Sequence, residues 1–299
     1  MTSATIRADE PFEVSAAEGW WCGPWRRPRN NSSHEVGSIH DDATARGLGF
    51  RGGTIAGSIH MEQFLPLLRH VWGDPWQQTG GLSLWFREPS LDGEPVQAQI
   101  AVEGGHRRGV RMVNAAGAVV LEGSASLSLD GQGEVRQRMQ QMQPGAAPRI
   151  LAQVQSGWTM RGVRTRIPRA DVLKRLDIIT ECRAELAHAD IQGVGLAPLS
   201  AAVHAARAFE GHLPIPDKRF VGLFGAIEWQ WVHGPMFTET DYALDAKVLA
   251  VTDSPRSEML WTEVMVTSVL SGRDVARMLI LSRLLKSSSP LWQSEVFQR

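Results

Sequence analysis

Cysteine is scarce. Cys22 and Cys182 are the only two in 299 residues, too few for a disulfide framework and without the CxxC spacing of a zinc site, so two buried thiols are expected. Charge of one sign is lacking as well. Lys and Arg number 31 against 32 Asp and Glu, which leaves no global field to draw nucleic acid or an anionic membrane. No stretch approaches the ~20 apolar residues of a membrane-spanning helix. The start, MTSATIRADEPFEV, carries acids where a signal peptide needs a basic segment and an apolar run. The expectation is a soluble, cytoplasmic protein with no nucleic-acid or membrane partner. Walker and GxSxG patterns are absent, which leaves a phosphate-binding P-loop and serine hydrolysis without support. His34 and His60 have no partner at metal-ligand spacing, so no metal is expected and both histidines read as structural or solvated.

What is present is a repeated order of elements. With 43% hydrophobic and 21% charged residues the chain is globular in composition and long enough for two domains. In FRGGTIAGSIHMEQFLPLLRHVW, Ile55, Ile59, Met61, Phe64, Leu65, Leu68 and Trp72 recur at helical spacing, as on a buried helix. Gly52, Gly53 and Thr54 supply its flexible start and cap, and Pro66 should kink or end it. Residues 80 to 129 then read as four short strands of an antiparallel meander. Residues 130 to 150, rich in Gln, Gly and Pro, read as a connection. A second apolar helix pattern, APLSAAVHAARAFEG, and four more strand-like runs follow it. One helix and then antiparallel strands, seen twice, argue an α+β architecture in which each sheet wraps its own helix. The expected division is 1–135, a linker at 136–155, and 156–299. HDDATARGLGF (40 to 50) has a faint echo in HADIQGVGLA (188 to 197).

The informative segment is EVGSIHDDATARGLGFRGGTIAG, residues 35 to 57. It places Glu35 and His40 five residues apart in a loop, followed by a Gly-rich turn opening a buried helix. A carboxylate and an imidazole can hold and deprotonate water, and helix N-terminal amides can stabilise an enolate oxyanion, so the parts suit water addition across a polarised double bond. Asp41 and Asp42 read as caps of a short helix.

These residues resemble the MaoC-like (R)-specific enoyl-CoA hydratases. Glu35, four residues and His40 match that family's carboxylate and His spacing, and His40-Asp41-Asp42 matches its H-x-D. Gly49-Phe50 and Ile55-Ala56-Gly57 match its helix start, and Phe86 to Glu94 its later strand and turn. Glu stands where the family has Asp, and Gly37-Ser38 where it has Asn-Pro, leaving an orienting amide to Asn30 or Asn31. The resemblance implies a double hot-dog fold, two antiparallel sheets each wrapped around a central helix. It implies His40 and Glu35 as the water-activating pair, Gly57 as the oxyanion donor, and no cofactor. The substrate would be an acyl-CoA or acyl-carrier-protein thioester, with the motif-free second half shaping the acyl pocket and a homodimer possible.

Trp21 and Trp25 could wall that pocket, with Asn31, Phe50, Gly53 and Thr54 beside the substrate, although plain core packing is the blander account of the tryptophans. Arg26, Arg27 and Arg29, Arg107 and Arg108, or Arg161, Arg164, Arg166 and Arg169 could meet coenzyme A phosphates, or be simply solvated. Two other functions compete with a hydratase or dehydratase: a divergent hot-dog thioesterase, isomerase or cyclase, and a non-catalytic acyl-thioester or small-molecule binder.

Overall fold

The computed structural model describes residues 11–30, 32–128, 133–142 and 148–293. The elements of the first half are β1 (Ser15–Ala17), β2 (Trp20–Arg26), α1 (Asp42–Gly47), α2 (Gly57–Glu62), α3 (Leu65–Trp72), α4 (Trp76–Thr79), β3 (Gly81–Phe86), β4 (Val96–Ala101), β5 (Arg107–Asn114) and β6 (Val119–Ser126). After α5 (Glu134–Gln140) come β7 (Thr159–Arg166), α6 (Arg169–Arg175), α7 (Arg183–Ala187), α8 (Leu199–Ala206), β8 (Gly222–Trp231), β9 (Asp241–Asp253), β10 (Ser257–Ser268) and β11 (Asp274–Leu285).

The strands form one antiparallel sheet in the order β1-β2-β4-β5-β6-β3-β8-β11-β10-β9-β7. β2, β4, β5, β6 and β3 follow one another as β7, β9, β10, β11 and β8 do from the opposite edge. The halves are therefore related by a two-fold axis at the β3–β8 pairing, where Ser83 lies opposite Glu228. The expected pair of sheets is present, fused edge to edge so that neither half leaves its inner edge unpaired.

Alternation drives the strands. In β9, Tyr242, Leu244, Ala246 and Val248 are buried while Asp241, Asp245 and Lys247 are exposed, the period-2 pattern of a sheet with one apolar face. The edge strand β7 carries Arg161, Arg164 and Arg166 outward, charges that discourage pairing with another chain.

The expected long helix is two helices. Pro66 sits in the first turn of α3, where its missing N–H costs nothing, and the chain breaks at Gln63 and Phe64. Thr54 is not the cap. Ala56 precedes α2 without a side-chain hydrogen bond, and Thr54 instead bridges Leu91 in antiparallel fashion. Across the axis α2 packs against α8.

The connection between the halves does more than join them. α5 lies on the sheet face away from the central helices, burying Val135 against Trp85, Ala226, Leu279 and Leu281. Further on, the amides of Arg149, Ile150 and Leu151 donate to the buried carboxylate of Glu258 at 2.8, 2.9 and 2.8 Å, and the Trp292 indole adds a fourth donor at 2.7 Å.

Candidate active site

The loop between β2 and α2 is tied to the turn after β3. Asn30 N–H donates to Asp92 at 2.8 Å, and Gly93 N–H to the Pro28 carbonyl at 2.9 Å. Asp41 caps α1 through the Thr44 amide at 2.8 Å, as expected, and Asp42 accepts the Gly53 amide at 2.7 Å. Ile55 N–H donates to the Ser90 carbonyl at 2.9 Å, and Arg51 pairs with Glu94 at 2.9 Å. The turn that resembled the family's later motif is thus the clamp that holds the helix start in place.

His40 is half-buried in this frame. Its Nδ1 is 2.7 Å from the Thr54 carbonyl, and its own carbonyl accepts the Asn30 side-chain amide at 2.8 Å. The Asn30 amide thus holds the His40 backbone in place. Asn31 lies outside the described residues. Gly53 is obligatory, because a β-carbon there would land on the His40 carbonyl.

Gly57 opens α2 against the Phe86 ring, and a β-carbon would stand 2.6 Å from its Cζ. Phe86 packs on Phe224 at 6.5 Å between centroids, and the Arg207 guanidinium lies 4.5 Å over Phe224. Arg207 is in turn held by Glu210 at 2.6 Å. Side chains of the second half thus extend to the helix start of the first.

The other expected residues are dispersed. Glu35 is exposed on a turn whose backbone bonds run from Glu35 N–H to Ser32 O and from Ser38 N–H to Glu35 O. Among the described residues its carboxylate has no partner, and the structure does not bring it onto His40. Phe50 is half-buried just beyond α1, and Thr54 is buried. Trp21 lies on β2 and meets His70 of α3 edge-on at 5.4 Å, whereas Trp25, also on β2, is 48% exposed.

Of the arginines, Arg26 is buried in an ion pair with Glu181 of the second half. Arg27 donates to the Gly93 carbonyl and Arg108 to the carbonyls of Ala101 and Val102.

A histidine that looked structural and a carboxylate that went unremarked are also here. His60 is fully buried, with Nε2 2.6 Å from Ser90 Oγ, and burial holds its pKa at about 4. Glu62, the last residue of α2, is 0% exposed, and its Oε1 accepts the Ser200 amide at 2.5 Å. Burial raises its pKa. A lone acid inside the apolar run IHMEQFL was the signal for Glu62.

The faint echo between the halves is a structural equivalence. A β-carbon on Gly195 would land on the His188 carbonyl, as one on Gly53 would on that of His40. Leu196 bridges Phe237 as Thr54 bridges Leu91, and Ala197 N–H donates to Met236 O as Ile55 N–H does to Ser90 O. His188 is the second half's counterpart of His40, but it is exposed. Leu199 stands in place of Gly57.

No protein-family model matches the sequence, and no curated protein does. Solved structures do. A conserved hypothetical protein from Mycobacterium tuberculosis with a double hot-dog fold superposes at TM-score 0.57 and 13% identity, over 87% of this chain and 93% of its own. A structure described as a MaoC domain protein dehydratase from Chloroflexus aurantiacus superposes at 0.54 and 14%, over 93% and 95%. A CurK dehydratase in an inactive mutant form does so at 0.50 and 9%, over 91% and 96%. At such identities the likeness is one of fold, and by fold this chain is a double hot-dog protein of the architecture found in MaoC-like dehydratases.

Proposed function

We propose that the protein is a hydro-lyase acting on a bulky 2-enoyl thioester carried by coenzyme A or an acyl carrier protein. The observation that carries this reading is the 2.7 Å bond between His40 Nδ1 and the Thr54 carbonyl. A carbonyl only accepts, so Nδ1 bears the proton and Nε2 keeps its lone pair. Such an imidazole takes a proton from water as the oxygen adds to the β-carbon, and returns it to the α-carbon. Between those steps the thioester oxygen holds the negative charge, which the Gly57 amide stabilises. Glu35 completes the pair by moving from its exposed turn onto the ring, since catalytic contacts often tighten when substrate binds. Phe224 and Arg207, packed towards Phe86, give the second half its part in the acyl pocket.

Mixing the protein with crotonyl-CoA and larger enoyl-CoAs should abolish their conjugated absorbance, and His40→Ala should slow this ~10²–10⁴-fold. A flat trace across the panel would sink the reading. Free thiol released from saturated acyl-CoA would make it a thioesterase, and a product of unchanged mass an isomerase. The partnerless Glu35 favours a second reading, an acyl-thioester binder without turnover. Tight binding unaffected by His40→Ala would distinguish it.

A further inference from the structure

The outer face of the sheet, the side that α5 covers, gathers three arginines that lie far apart in sequence around one indole. Trp85 of β3 is buried, and the guanidiniums of Arg138 in α5 and Arg283 in β11 lie 4.8 and 5.6 Å from the centre of its ring. Arg283 reaches the ring across β8 because the pairing slips by one residue at Gly225, where a β-carbon would stand 2.6 Å from Arg283 Nε. Arg87, which follows β3, is the charged group acting on Arg283, and it bears the same sign. The carboxylate that serves the cluster is Glu122 of β6, which Arg87 grips through Nε and Nη2 and Arg138 approaches at 3.6 Å. Three cations thus share one acid. Arg283 has none of its own: among the described residues it forms no ion pair, and its buried Nε has no acceptor. A cation–π contact shared with Arg138 is too weak to offset a half-buried guanidinium held beside a like charge, whereas an aliphatic side chain would pack there without that penalty.

We propose that Arg283, Arg87 and Arg138 form an anion site that takes a phosphoryl group. Arg283 offers its guanidinium fork and Arg87 the Nη1 that Glu122 leaves free, while Arg138 adds its charge from the α5 side. A phosphoryl group carries up to two charges, which matches the excess of cations over acids. Its tetrahedron of oxygens also accepts donors converging from two strands and a helix, where a planar carboxylate accepts one fork. Arg87 follows Phe86, and Gly225 follows Phe224, the aromatic pair at the start of α2. The cluster therefore sits at the same strand ends as the proposed thioester site, on the other face of the sheet. The phosphoryl group is either free phosphate or that of the phosphopantetheine arm on which coenzyme A and acyl carrier protein hold their acyl groups. The second source rests on the function proposed above.

Calorimetric titration of inorganic phosphate and pyrophosphate into the full-length protein at low ionic strength tests the site. Saturable binding is expected, weakened about tenfold or more by Arg283→Met or Arg87→Met, the loss of a charge-assisted hydrogen bond. Arg164→Met, at an exposed position of β7, should leave it unchanged. Without phosphate, Arg283→Met should melt no lower than the parent, because the unpaired charge is costly in the fold. With phosphate the parent should melt higher and the variant should not. The site is overturned by the absence of saturable binding, by binding indifferent to Arg283→Met or equally weakened by Arg164→Met, or by a phosphate-free Arg283→Met that melts well below the parent. KM separates the two sources. If the arm of the thioester supplies the phosphoryl group, Arg283→Met raises KM for crotonyl-CoA but not for crotonyl-pantetheine, which has no phosphate; if KM holds for both, the site belongs to free phosphate. The two readings fail separately. Phosphate binding without enoyl-CoA turnover overturns only the hydratase, and turnover without phosphate binding only this site.

Discussion

The carbonyl of His40 closes on Gly53 so tightly that no β-carbon fits between them. The glycine therefore sets where the imidazole sits, and Gly53→Ala should displace it. The overpacking should cost ~1–3 kcal/mol in urea unfolding and reduce enoyl-CoA turnover by more than the loss of stability explains. Gly47, at the end of α1, has open space around it. Gly47→Ala should stay within about 0.5 kcal/mol of the parent; equal effects of the two changes would contradict the packing argument.

The strands flanking each central helix were legible because their apolar residues alternate or run continuously, as in β9 and β11. β2 was not. WWCGPWR contains Gly23 and Pro24, and Pro is tolerated in a strand only at an edge or a bulge; the register with β4 does shift between Cys22 and Trp25. The helical part of the connection was hidden because EVRQRMQ buries only Val135, one anchor without a stripe. The loop around His40 was readable through its glycines and aspartates. The partners across the halves were not, because Arg26 and Glu181 lie 155 positions apart and nothing local marks either as paired.

That pair yields a stability prediction. Arg26 and Glu181 are both almost fully buried and meet through two hydrogen bonds. Removing one charge strands the other, so Glu181→Ala should cost ~3–5 kcal/mol. The double variant Arg26→Met, Glu181→Leu should recover much of that. If the double variant is as unstable as Glu181→Ala alone, the uncompensated charge is not the cause.

Glu258 anchors both the end of the connection and the C-terminal segment, with four donors on a 0% exposed carboxylate. Glu258→Ala leaves three amides and an indole without their acceptor and should cost ~3–5 kcal/mol, since each buried orphan donor forfeits ~1–3. Trypsin should then cut after Arg149 faster than in the parent under native conditions. An unchanged cleavage rate would mean that the connection is held by other contacts.

His60 and Glu62 should tilt stability in opposite directions with pH. Burial lowers His60 from 6.5 to about 4, so between those values the unfolded chain binds a proton that the folded one refuses. Stability is complete above pH 6.5 and falls as pH drops toward 4, by at most about 3 kcal/mol from this group. Glu62 is raised above 4.5, so the folded chain keeps a proton that the unfolded one has released, and stability falls as pH rises beyond 4.5. Glu94 acts on the first and Arg175 on the second; each favours the charged form and so moderates the effect without reversing it. Thermal melts from pH 4 to 8 should therefore show His60→Gln flattening the acidic side and Glu62→Gln the alkaline side. A Glu62→Gln profile parallel to that of the parent would mean that the carboxyl is already ionised in the folded protein, held by Arg175 and the helix amides rather than by a proton.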